Sequence, residues 1–252
     1  MLAVDNSVYN SDKEYWHHYI DFYERELASF DCRNVLEFGV WKGASIRWLM
    51  DKYPSADIYG VDILSPDLSW PQGKRVHYFQ VDQGDVDQIK TLFGTIEVKF
   101  DLVIEDGSHI PEHQRNCLVE SISHIQSGGV YIVEDIHTSH PRHPYFKKSK
   151  SFFKPLSGPL HLLLGIEHIK SLDSKVVLER FEELARHSLF TLEEIEFLFE
   201  KIESIKIYKR TTLPRYCYAC GNDEFNYLDL RCKCGTHLYA ETDSMSALIR
   251  IK

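Results

Sequence analysis

The sequence predicts an α/β fold: a doubly wound, mostly parallel sheet of seven strands with helices on both faces, carrying a small cysteine-bearing insert between its last two strands. Two observations carry that expectation. Apolar runs the length of one buried strand alternate with longer stretches of helical character, the pattern that βαβ units produce. Several of those runs end in carboxylates, most clearly Asp101-Leu-Val-Ile-Glu-Asp106-Gly-Ser-His109 and Tyr131-Ile-Val-Glu134-Asp135-Ile-His137. Near-continuous apolar runs suit strands buried on both faces. Open parallel sheets bind ligands beyond the carboxyl ends of their strands.

The elements follow in chain order. Ser11-Asp-Lys-Glu14 has the form of a capping box and predicts an aromatic-rich helix to about Phe30, within a helical cap over residues 1–33. Strands are expected at 34–38, 57–63, 75–81, 100–105 and 130–134. The first turns through Gly39 and Gly43 into a helix ending near Tyr53-Pro54; the fourth leads into a helix that stops at Gly128-Gly129. From His137 to about residue 160 the chain changes character, with Pro141, Pro144, Pro155 and Pro159 among His, Lys and aromatic residues. A long irregular stretch directly after a site-bearing strand predicts a functional loop or lid. Amphipathic helices follow to about Ile202, and strands at 204–209 and 247–251 close the sheet. The main domain is thus expected over 34–210 with 245–252, and the insert over 211–244.

Composition narrows the function classes. A chain of 252 residues can bury a full core, and 13% aromatic content argues against disorder. The net charge of −9 speaks against a general nucleic-acid binder. No apolar run approaches membrane-spanning length and the N-terminus lacks a secretory pattern, so a cytoplasmic protein is expected. Of six cysteines, Cys32 and Cys117 fall in apolar surroundings and read as inert buried thiols. Cys217-Tyr-Ala-Cys220-Gly and Cys232-Lys-Cys234-Gly form two knuckles separated by eleven residues. Four thiolates in that arrangement suit a structural zinc, with glycine easing the turn after each pair. The Cys-x-Cys spacing of the second knuckle leaves His237 open as a replacement ligand. The insert is expected to be a stapled loop over one end of the domain, with its zinc remote from the chemistry.

Two acidic strand ends would place Asp106, Glu134 and Asp135 close together, which is unfavourable unless a hard divalent cation sits among them. His109, three residues past Asp106, is then placed to act as a base beside the metal. At the first strand, Glu37-Phe-Gly39-Val-Trp-Lys-Gly43-Ala-Ser45 gives strand, glycine turn and helix start, where backbone N–H groups face a ligand. It departs from Gly-x-Gly-x-x-Gly because Trp41 stands at the middle glycine position. Asp62, ending the second strand, is positioned to accept hydrogen bonds from both hydroxyls of a ribose. Asp82, ending the third, either meets an adenine amino group or is a solvated turn residue.

Together these motifs resemble class I S-adenosylmethionine-dependent methyltransferases. They are closer to the metal-dependent sugar O-methyltransferases of macrolide biosynthesis, the macrocin and mycinamicin group, whose Ser/Thr-Asp-Lys start is matched by Ser11-Asp12-Lys13 with His18 and Tyr19. The resemblance covers roughly residues 9 to 138. It implies a Rossmann-like domain in which Glu37, Gly39 and Gly43 line the methionine part of the cofactor, with Lys13, Ser45 and Asp106 on the same side. Asp62 would bind the ribose, Asp82 would lie at the adenine end, magnesium would be held by Asp106, Glu134 and Asp135, and His109 would be the base. The implied reaction is methylation of a hydroxyl on a sugar, glycan or natural product bearing two neighbouring oxygens. The basic run Arg142, Lys147, Lys148 and Lys150 either meets an anionic acceptor or is a solvated lid surface, while His137, His140 and His143 read as polar lid residues. An iron-dependent oxygenase using Asp106, His109 and Glu134 fits less well, since the usual triad has two histidines and one carboxylate. A non-catalytic zinc-containing binding module is the other alternative. Self-association into a homo-oligomer is left open.

Overall fold

The computed structural model describes residues 7–140, 142–144, 146, 157–172, 177–186, 188–240 and 242–252. Five parallel strands form the centre of the fold: β1 (Asn34–Phe38), β2 (Asp57–Asp62), β3 (Val76–Gln80), β4 (Phe100–Glu105) and β5 (Ile125–Val133). Two further strands, β6 (Ile202–Lys209) and β9 (Met245–Ile251), pair antiparallel with each other, and β9 pairs antiparallel with β5. The resulting seven-stranded order is β3-β2-β1-β4-β5-β9-β6, so the expected mostly parallel, Rossmann-like sheet is present. Every residue of β4 is buried, as its near-continuous apolar run requires. The strands are parallel throughout this part, but their sequence order reverses between β1 and β4, and a crevice opens there beyond the strand ends.

One core lies between the sheet and α4 (Val86–Thr95), α5 (Pro111–Ser121), α6 (Pro159–Lys170) and α8 (Leu192–Lys201). The other face is covered by α2 (Tyr19–Glu26) and α3 (Ala44–Lys52), with Tyr19, Tyr23 and Trp48 almost completely buried. Helix α7 (Val177–Arg186) packs against α8. Between β6 and β9 the chain forms the small hairpin β7 (Phe225–Asn226) and β8 (Arg231–Cys232), which carries the cysteine cluster. Among the described residues no helix is long and apolar enough to cross a membrane.

Four local expectations are corrected. The N-terminal helix is broken into α1 (Asp12–Tyr15) and α2, because His18 takes a left-handed conformation at φ 57°. The capping box at Ser11 does not form: the Glu14 carboxylate turns back to accept from Ser7 Oγ and the Val8 and Tyr9 amides. Helix α4 had no counterpart in the sequence reading; Asp85 caps it by accepting from the Asp87 and Gln88 amides. Helix α5 ends at Ser121 rather than at the glycine pair, and β5 begins at Ile125. Gly128, at φ 79°, and Gly129 instead carry an irregularity in β5, where register shifts between the Phe100 and Leu102 pairs. Of the expected lid, Ile136–Ser139 is a short 3-10 turn and Pro159 starts α6, while Pro141, Lys147, Lys148, Lys150 and Pro155 lie outside the described residues.

Candidate active site

The ends of β1, β4 and β5 meet at the switch point, and one side chain from α1 joins them. Lys13 Nζ lies 2.9 Å from each of Glu37 Oε1, Asp106 Oδ2 and Glu134 Oε1. The lysine and both glutamates are almost fully buried. Burial alone would lower the Lys13 pKa; the three carboxylates, Asp106 foremost, outweigh it and hold the ammonium well above its usual range. Burial raises the pKa of Glu37, against the opposing pull of Lys13 and of the Ser45 hydroxyl, which donates to Glu37 Oε1 at 2.6 Å. Glu134 is driven well above the carboxylate range by burial and by Asp106, with Lys13 opposing. The sequence reading placed Lys13 and Ser45 beside the cofactor; both line the cleft, and both also hold Glu37 from within.

Beside this cluster, Asp106, His109 and Asp135 bring ligand atoms within 4.8 Å of one another. His109 Nε2 is 3.9 Å from Asp106 Oδ1 and 3.7 Å from Asp135 Oδ2. Glu134, expected to stand with the two aspartates, has its carboxylate on Lys13 instead. His109 and Asp135 both have left-handed backbones, at φ 55° and 52°, and Trp41 joins them at 46°. Such strain persists only where surrounding contacts enforce it, and it clusters at functional sites. Tyr19 Oη donates to Asp135 Oδ1 at 2.7 Å, and His17 and His137 Nδ1 stand 3.9 and 3.8 Å from that oxygen. Burial would raise the Asp135 pKa, yet His17, His109, His137 and Tyr19 together carry it below the carboxylate range. Burial would lower His109, and Asp135 and Asp106 reverse that, so its net shift is upward. Burial brings His137 down to about 4.

Lys13, Asp106, His109, Glu134 and Asp135 line a cleft of about 330 Å³ that also takes in Ser11, Asp12, His17, Gly39, Trp41 and Ser45. A second cleft of about 340 Å³ adjoins it across Gly39, Trp41 and Asp106–Ser108, and is lined by Asp62, Leu64, Asp82 and His113. The two form one groove over the switch point. Gly39 sets its floor: at φ 99°, a Cβ there would fall 2.0 Å from the Asp106 carbonyl oxygen. Gly43, at φ 72°, begins α3.

Asp62 stands in the second cleft with a heavier structural duty than expected. Its Oδ2 accepts from the Val40 and Trp41 amides at 2.8 Å, and its Oδ1 accepts from Leu64 at 2.9 Å. A carboxylate has about four acceptor sites, so about one remains for an outside donor. Asp82 is an Asx turn, accepting from Gly84, with its side chain at the cleft edge. Sequence reasoning missed Gln83, whose amide oxygen accepts from Ser108 and whose amide nitrogen donates to Glu105, fixing the loop after β4. It also missed His17 and the role of Tyr19 toward Asp135. His18, quoted beside Tyr19, instead lies near Thr212 of the insert.

The four insert cysteines converge. Cys217 Sγ is 3.6 Å from Cys234 Sγ, and Cys220 Sγ is 3.5 Å from Cys232 Sγ. All four sulfurs lie within 4.8 Å of one another, while His237 is outside the cluster. The separation far exceeds a disulfide bond of about 2.05 Å. It approaches the edge of about 3.8 Å for thiolates arranged tetrahedrally at about 2.3 Å from a zinc ion. The insert packs on α1, through Tyr15 and Trp16.

The glycine turn after β1, the carboxylates at the ends of β2, β4 and β5, and the reversal of strand order between β1 and β4 all fall in one segment that is similar to known proteins. Residues 36–136 match the family profile described as a methyltransferase domain. The resemblance read from the motifs extends to named relatives. The chain is 36% identical over 138 residues to mycinamicin VI 2''-O-methyltransferase of Micromonospora griseorubida, covering 49% of this chain and 33% of that protein. It is 34% identical over 133 residues to demethylmacrocin O-methyltransferase of Streptomyces fradiae, covering 49% and 32%. The match thus spans about a third of the length of these curated relatives. In fold it is similar to the MycE methyltransferase of the mycinamycin pathway, solved with Mg, SAH and mycinamycin VI. That similarity has TM-score 0.62 and 20% identity, over 96% of this chain and 52% of the other.

Proposed function

We propose that this chain is an S-adenosylmethionine- and magnesium-dependent O-methyltransferase acting on a sugar hydroxyl of a small-molecule or glycan acceptor. The observation that supports it most is the convergence of Asp106, His109 and Asp135 on one wall of a groove over the switch point. The relatives named above are O-methyltransferases, and the MycE structures contain Mg and SAH.

The residues suit both groups. Two carboxylates of the convergent cluster, partly accessible to the cleft, are the oxygen donors a hard cation takes. Glu134 completes the ligand set read from the sequence once Lys13 moves from it. The adjoining cleft offers Asp62 and Asp82 to a nucleoside, with Glu37 and Ser45 beneath the glycine turn that would face the methionine end. When bound, S-adenosylmethionine supplies an electrophilic methyl group and magnesium an electrostatic anchor for acceptor oxygens. His109 Nε2, between the two aspartates, takes the proton of the acceptor hydroxyl. Tyr19 holds Asp135 in place. Gly39 and Gln83 fix the loop that presents Asp106 and His109. His109→Ala should keep cofactor affinity, measured by calorimetry, and lose about 10²–10⁴ in rate. Turnover of labelled methyl at full rate in chelator would overturn the metal-dependent reading.

We further assign zinc to Cys217, Cys220, Cys232 and Cys234, about one ion per chain by metal analysis. Thiolate ligation suits a reducing compartment such as the cytoplasm. The corresponding division is a helical cap over 1–33, a catalytic domain over 34–210 with 245–252, and a zinc insert over 211–244.

A further inference from the structure

We propose that the four-cysteine metal site is the anchor of α1, and that it holds Lys13 in the active cleft and thereby controls cofactor binding. The inference rests on the zinc reading above and adds a link between two centres that chain order keeps far apart.

The contact surface carries the argument. Tyr15 and Trp16 are 1% and 4% exposed, and they are buried in one apolar cluster with Cys217, Cys232 and Leu238. The Arg215 and Tyr216 amides both donate to the Tyr15 carbonyl oxygen, at 2.8 and 3.4 Å. Tyr218 sets its ring edge-on to Trp16 with centroids 4.7 Å apart. The Arg210 guanidinium stacks 4.9 Å from the Trp16 ring and donates to the Thr212 and Leu238 carbonyls and to Asp243. Ser244 Oγ is 2.9 Å from His17 Nδ1. Both ends of the insert and both cysteine knuckles therefore bear on residues 15–17.

Neither partner can hold its shape alone. Helix α1 has four residues, far short of the length at which a helix persists in isolation. Among its described residues the insert has no apolar core apart from this cluster: Tyr227 and Leu228 are 74% and 95% exposed, and the strands β7 and β8 are two residues each. A metal that draws the two knuckles together supplies the missing cohesion, as in other small thiolate-bound elements. The clamped helix then projects Lys13, two residues before Tyr15, into contact with Glu37, Asp106 and Glu134. Loosening α1 withdraws the cation shared by Glu37, Asp106 and Glu134.

The test uses the full chain in excess magnesium: as purified, stripped by a zinc-selective chelator, reloaded with zinc, and as Cys234→Ser and Cys234→His. Cys234 is the exposed member of the four, and histidine can replace it as a ligand. The readouts are zinc content, amide hydrogen exchange, and calorimetric affinity for S-adenosylhomocysteine, which needs no acceptor. Stripping and Cys234→Ser should speed exchange across residues 12–19 by about tenfold or more while β4 stays protected. They should weaken S-adenosylhomocysteine binding by a similar factor, and reloading or Cys234→His should restore it. Lys13→Met should weaken binding in the loaded protein yet add nothing in the stripped protein. Additive losses would overturn the route through Lys13. One zinc per chain with unchanged exchange at 12–19, or with β4 exchange raised equally, would overturn the coupling and leave the zinc site standing. Absence of zinc together with four freely reactive thiols would overturn the zinc site, and the coupling with it.

Discussion

Lys13→Met is the perturbation that tests most of the site at once. Methionine keeps the length and apolar stem of lysine and removes only the cation, so Glu37, Asp106 and Glu134 lose a shared partner 2.9 Å from each. Removing one member of a buried ion pair typically costs about 3–5 kcal/mol, because the remaining charge stays buried without compensation. Asp106 is 22% exposed and can regain some solvation, so the lower part of that range applies. For a chain of this size each kcal/mol shifts the melting temperature by about 2–4 °C, which gives a drop of roughly 6–16 °C in chelator. Magnesium should then rescue the variant more than the wild type, because in the wild type Lys13 occupies two of the carboxylates the ion would use. Ligand at about 100 times its Kd adds about 2.7 kcal/mol.

The gap should also narrow as pH falls. Burial raises the Glu37 pKa and Lys13 opposes that rise, so removing Lys13 lets it climb further. A carboxyl whose folded pKa lies above its unfolded value binds a proton the unfolded chain has released. Its destabilising effect is therefore present near neutrality and fades as pH falls through the folded pKa toward about 4.3. Differential scanning calorimetry over pH 5–8, with chelator and with magnesium, measures all three effects. A variant that melts within about 3 °C of wild type in chelator, or that gains no more from magnesium, would refute the role given to Lys13.

Asp62→Ala should weaken S-adenosylmethionine binding by about 1–3 kcal/mol, and the cause is now mainly the turn it holds. Its carboxylate accepts from Val40, Trp41 and Leu64, so exchange at those amides should rise with the loss of affinity; unchanged affinity by calorimetry would remove Asp62 from the site. Gly39→Ala should cost about 1–3 kcal/mol from the backbone conformation alone. It should cost more from the clash with the Asp106 carbonyl, and abolish cofactor binding. Near-normal melting and binding in that variant would mean that the loop after β4 has room to retreat.

The sheet was legible because its signals are local. Apolar runs at β1, β2, β4 and β5 ended within a residue or two of their expected carboxyl ends, and those ends carry the site. Errors fell where a longer-range contact overrode a local preference. Ser11 and Glu14 satisfy the capping-box spacing, yet Glu14 finds three donors in residues 7–9 and leaves the box unmade. Gly128-Gly129 reads as a helix stop, but pairing of β5 with β4 extends the strand across it. Helix α4 went unread although Asp85 offered the N-cap signal.

The charge balance of the site was the part that sequence could not supply. Counting carboxylates at strand ends gave Asp106, Glu134 and Asp135 one shared fate, because each looked equally in need of a cation. The fold divides them: Lys13 takes Glu134, Glu37 and one oxygen of Asp106, while Asp135 is held by Tyr19 and flanked by three histidines. Lys13 is 121 residues from Glu134 in the chain, and no periodicity links them. What brings it there is α1, and α1 is held by residues near 215 and 244 that flank the cysteine knuckles. A motif that looked self-contained in sequence, four cysteines in a short insert, thus bears on the electrostatics of a groove it does not line. The cysteine cluster and the groove's charge bear on the two ends of one four-residue helix, so a measurement at either end should register at the other.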